Sequence, residues 1–117
     1  MMANRHRGEI SAILDGETYT LCLTLGALAE LEDAFGGEDM LAIAERFESG
    51  RLRAGDIVKV IGAGLRGAGA KITDDQMRHM RVEGGAAGYV AVAADLLAAT
   101  FGLTPNEDGD APPPPDA

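Results

Sequence analysis

The sequence predicts a mainly helical α+β domain, with an N-terminal two-stranded β-hairpin packed on about five short helices and a disordered acidic tail. Three observations predict it. Asp15-Gly16 stands between two β-prone runs, the strongest short-range hairpin signal. From Leu25 onward, apolar residues recur at helical spacing in successive segments. Beyond Gly102 the composition turns to "LTPNEDGDAPPPPDA", which has too little apolar area to order itself. The expected boundaries are a flexible arm at 1–7, one domain at 8–102 and the tail at 103–117.

The hairpin occupies "GEISAILDGETYTLCLT". A two-residue type I′ turn sets Leu14 opposite Glu17, Ala12 opposite Tyr19 and Ile10 opposite Leu21. One face then carries Ile10, Ala12, Leu14, Tyr19 and Leu21. The other carries Glu9, Ser11, Ile13, Thr18, Thr20 and Cys22. The apolar face needs helices to cover it, because an isolated hairpin is marginal in water. Both strands keep free edges unless another segment covers them.

"TLGALAELEDAFGG" follows as a helix, with Thr24 as N-cap and Gly36-Gly37 as its stop. Its expected stripe is Leu25, Leu28, Leu31 or Glu32, and Phe35, with Glu30 and Asp33 turned away. "EDMLAIAERFESG" predicts a second helix with Met40, Ile43, Ala44 and Phe47 inward and Gly50 at C′.

The next segment holds "VIGAGLRG", Val60 to Gly67, which matches the dinucleotide fingerprint G-x-G-x-x-G. That motif needs a strand, a glycine turn and then a helix N-terminus. Here Ala54, Ile57, Val58, Ile61 and Leu65 keep helical periodicity through the supposed strand and turn. The expectation is a helix whose Gly62 and Gly64 admit a close neighbouring backbone, and which Gly67 and Gly69 end. "ITDDQM" starts a fourth helix, with Thr73 and Gln76 as a capping box and Ile72 and Met77 as its hydrophobic staple. It is expected to run to about Val82. The last helix spans about Ala86 to Phe101 with Asp95 as its only charge, which predicts burial on most sides, inside the fold or against a partner.

The chemistry-bearing residues are few. The net charge of −9 argues against nucleic acid, because Arg5, Arg7, Arg51, Arg53, Arg78 and Arg81 are scattered rather than clustered. Cys22 is the only cysteine, which excludes an internal disulfide or a Cys-based metal cluster. His6 and His79 have no ligand-spaced partner. Glu30, Glu32 and Asp33 read as a solvated helix face, and Ser11 and Ser49 have no triad partners. No residue set is assigned to catalysis, a cofactor or a metal. The polar N-terminus has no apolar core of a secretory signal, and the run Ala86–Leu97 is too short to span a bilayer. The expected location is cytoplasmic.

The stretches "RHRGEISAILDG" and "YTLCLTLGALAELEDAFG" and the Gly-rich run Gly62 to Gly69 carry a resemblance. Over about Asn4 to Gly102 the chain resembles the small tail-assembly chaperone family of gene transfer agents and long-tailed phages. That resemblance implies a non-enzymatic role in tail morphogenesis. Its members are thought to hold the tape-measure protein, a long helical chain that sets tail length, until tail tube subunits replace them. The group also carries the name tail tube protein, so a structural tail component is the alternative, with a nucleotide-binding enzyme as a remote one. Candidate partner-contact residues are Tyr19 and Leu21 on the hairpin and Tyr89, Val92, Leu96 and Phe101 on the last helix. A homo-oligomer is a further candidate assembly.

Overall fold

The computed structural model describes residues 7–49 and 53–102. The expectations for the tail, for Gly50 and for all of the arm except Arg7 lie outside the described residues. In order, the elements are β1 (Glu9–Leu14), β2 (Glu17–Cys22), α1 (Leu25–Ala34), α2 (Met40–Glu48), α3 (Ala54–Gly67), α4 (Asp74–Met77) and α5 (Gly85–Phe101).

β1 and β2 pair antiparallel in the register that the turn dictates, with Leu14 opposite Glu17 and Ile10 opposite Leu21. Asp15 and Gly16 both take positive φ, 54° and 78°, as a type I′ turn requires. Ile10, Ala12, Leu14 and Leu21 are buried on the inner face, with Tyr19 partly covered beside them.

Central helix α3 runs under this face and packs against β2, α1, α4 and α5. Its run Val60–Leu65 is buried throughout. Leu14, Leu21, Leu31, Ile61, Leu65, Met77 and Leu96 are the largest fully enclosed side chains. Truncating any one of these leucines to Ala should cost about 2–5 kcal/mol.

Three expectations are corrected. In α1 the buried residues are Ala27 and Leu31, whereas Leu25 is 78% exposed. Thr24 is the N-cap and its hydroxyl accepts from the Ala27 amide at 3.1 Å, so Leu25 is the first helical residue and stands clear of the core. Glu30 is not simply solvated: it pairs with Arg66 of α3.

α4 ends at Met77 instead of reaching Val82. The capping box forms as expected, but the chain beyond it is captured by the hairpin. Val82 bridges Leu14, the Asp15 amide donates to the Arg81 carbonyl at 2.8 Å, and the Arg81 amide donates to Asp15 Oδ1 at 2.9 Å. These contacts fix an extended segment where local sequence favours helix.

α5 is buried on one face only, through Ala93, Leu96, Leu97 and Ala98. Ala86, Ala87, Val90, Ala91 and Ala94 are exposed, so the apolar outer surface of this helix is uncovered.

Candidate functional site

The glycines of "VIGAGLRG" explain how α3 sits so close to its neighbours. All three fingerprint glycines lie inside the helix, so no strand–turn–helix phosphate cradle forms here. A Cβ on Gly64 would stand 2.5 Å from Leu96 Cδ2 and 3.3 Å from Leu21 Cβ. One on Gly62 would collide with the Asp74 carboxylate, and one on Gly67 with the Cys22 carbonyl. Only Gly67 admits a neighbouring backbone, whereas Gly62 and Gly64 make room for side chains. Gly69 takes φ 104° just beyond the helix end.

Asp74 is held by the same arrangement. Arg66 Nη1 donates to Asp74 Oδ1 at 2.9 Å and to the Ile72 carbonyl at 3.0 Å, and Nη2 donates to Glu30. Burial works against the Arg66 charge, but the hydrogen bonds to Glu30 and Asp74 outweigh it and raise the guanidinium pKa. One side chain thereby ties α1 and α4 to α3.

α3 and α5 run side by side and meet tightly at Gly64 and Leu96. Toward their N-terminal ends they leave an open groove of about 660 Å³. Ala54, Gly55, Ile57 and Val58 of α3 form one wall, and Ala86, Tyr89 and Val90 of α5 form the other. Buried Met77 closes the floor and Arg78 stands at the rim. Tyr89 is fixed there because its hydroxyl donates to the Met80 carbonyl. Val90 is 39% exposed at the groove wall. The lining is mostly apolar, with Arg78 and the Tyr89 hydroxyl as its polar groups, so the groove can hold an apolar surface.

A second cleft, lined by Glu38, Ala42, Glu45, Arg46, Ser49, Arg53 and Asp56, is polar. Arg46 reaches Glu38 at 3.0 Å and Asp56 at 3.5 Å, while Asp56 also accepts from the Arg53 amide at 3.2 Å. This network supplies partners for buried Asp56 at the start of α3. Among the described residues no group of three His, Cys, Asp or Glu could hold a metal ion. No helix among them is long and apolar enough to cross a membrane.

The structure separates the six candidate contact residues. Tyr89 lines the groove. Leu21 and Leu96 are fully buried against each other's surroundings at Gly64, so neither presents surface to a partner. Val92 and Phe101 are partly covered by the core, outside the groove lining. Tyr19 is half-exposed on the hairpin, where burial and then the Glu17 carboxylate push its phenol pKa up. Ile57, Val58, Met77, Ala86 and Val90 were not among the sequence candidates. The exposed apolar side of α5 was the one sequence signal that could have indicated Val90.

A family model described as "Phage tail tube protein, GTA-gp10" matches residues 7–103. The chain belongs to this family. The match covers the hairpin, all five helices and both groove walls, so the groove is part of the domain that the family model describes. Membership gives the protein a role related to phage tails. No curated protein and no solved structure gives a significant match.

Proposed function

We propose that this protein is a non-enzymatic assembly chaperone that holds an apolar helical segment of the tape-measure protein in the α3–α5 groove while the tail is built. The uncovered apolar groove carries the reading. Two helix walls and a Met floor suit the apolar stripe of an amphipathic helix, whose anchors recur at i, i+3 or i+4, and i+7.

The expected affinity suits transient holding. Three large anchors contribute about 5–9 kcal/mol by burial. Association costs about 4 kcal/mol or more. Each site is therefore weak, and a long tape-measure chain is covered by many copies that tube subunits can displace. The charge of −9 keeps such a coated chain soluble in the cytoplasm of the producing cell.

The family description, tail tube protein, favours a second reading in which the chain is a structural tail subunit. Co-expression with the tape-measure protein separates the two. The chaperone reading expects the tape-measure chain to become soluble and to co-purify, with this protein missing from finished particles. An insoluble tape-measure chain, with this protein present in purified tails, would establish the structural reading instead.

A further inference from the structure

We infer that the occupant of the α3–α5 groove is an acidic amphipathic helix, with a carboxylate directly beside its apolar stripe, and that Arg78 selects it. This selection rests on the proposed reading of the groove as a helix-binding site and adds the chemistry of the helix.

The charges around the groove run against the charge of the whole molecule. The chain carries −9, yet among the described residues no acidic side chain lines the groove, and Arg78 is the one charged side chain that does. Arg46 and Arg66 are engaged by carboxylates of their own chain. Among the described residues no carboxylate pairs with Arg78, not even Asp75 three positions before it. Its backbone is fixed at the end of α4, where the Arg78 amide donates to the Asp74 carbonyl at 3.0 Å and neighbouring Met77 is buried in the groove floor. The side chain itself is exposed at the rim. The Tyr89 hydroxyl is already taken by the Met80 carbonyl, which leaves the guanidinium as the free polar group of the lining.

The start of α5 adds to the positive end of the groove. Gly84 is its N-cap, no side chain caps it, and its first turn holds no acidic residue. The positive end of its dipole is therefore uncompensated where Ala86 lines the groove.

An amphipathic helix that fills the trough with its apolar stripe brings its flanking residues to the rim. A Glu or Asp there meets the planar fork of Arg78, which matches a carboxylate bidentately. A Lys there meets a like charge. The net charge of the body acts from farther away and is screened over ~8 Å at physiological salt, so contact with Arg78 sets the preference.

The probes are fluorescein-labelled helical peptides of about 20 residues, identical in their Leu stripe and carrying either Glu or Lys beside it, titrated with the full chain by anisotropy. Wild type should bind the Glu peptide about fivefold more tightly at low salt, the scale of a surface charge pair, and high salt should shrink the difference. Arg78→Gln should erase the preference and Arg78→Glu should reverse it, both with unchanged circular dichroism spectra. Val90→Glu should weaken both peptides. Equal affinity of wild type for the two peptides, tighter binding of the Lys peptide, or an unaltered preference in Arg78→Glu would overturn selection by Arg78 while the groove reading stands. Binding of neither peptide would overturn the groove reading and the selection with it. Self-association of wild type that Val90→Glu abolishes would make a second copy the occupant and overturn the acidic helix.

Discussion

At the residue scale, α3 depends on what its glycines leave out. Replacing a helical Gly by Ala ordinarily stabilises by about 1 kcal/mol. At Gly64 the new methyl meets enclosed Leu96 and Leu21, and overpacking of this kind costs about 1–3 kcal/mol. Gly64→Ala should therefore be net destabilising in urea titration. Gly67→Ala should lose more, because its obstacle is the Cys22 carbonyl, which cannot rotate aside as a side chain can. A Gly67→Ala variant as stable as wild type would disprove this packing role. Cys22 offers a pH-dependent check. Burial, then the nearby Glu9 carboxylate, raises its thiol pKa. The folded protein keeps that proton after the unfolded chain has released it, so stability should fall as pH rises from about 8.5, the ordinary thiol range. Iodoacetamide at pH 8 should label the native thiol more slowly than the urea-unfolded one, and equal rates would contradict the shift.

At the element scale, the hairpin turn works at two distances. Asp15 closes β1–β2 locally and holds Arg81 through its carboxylate and its amide. Asp15→Ala loses the side-chain acceptor and forces Ala into positive φ, so about 2 kcal/mol should be lost. Asp15→Asn keeps an acceptor and tolerates that backbone, and should retain most of the stability in thermal unfolding. This reach across 66 positions also shows where sequence reading stops. The hairpin register, the Thr24 and Thr73 caps and the helical nature of the Gly-rich run were legible because turn chemistry, capping and periodicity are local. The early end of α4 was not, because Asp15 and Leu14 impose it from the far end of the domain. The Glu30–Arg66 pair was hidden for the same reason. Of the groove, sequence pattern singled out only Tyr89. Ile57 and Val58 read as ordinary inward residues of a helix, and only the placement of α3 beside α5 leaves them facing an open trough.

At the scale of the whole molecule, a tightly packed core and an uncovered apolar groove lie on the same two helices. Gly64, Leu21 and Leu96 lock the middle of the α3–α5 contact, while Ile57, Val58, Tyr89 and Val90 stay available at its open end. Holding a helix there needs no catalytic residue and no cofactor, only a preformed trough on a strongly acidic body. The most direct measurement compares wild type with Val90→Glu in co-purification with the tape-measure protein. Val90 is already partly exposed, so the substitution should change thermal stability by no more than about 0.5 kcal/mol while placing a charge in the apolar wall. Wild type should bring down a soluble tape-measure chain and Val90→Glu should lose most of it. Equal recovery by the two proteins, with both fully folded, would contradict binding in the α3–α5 groove.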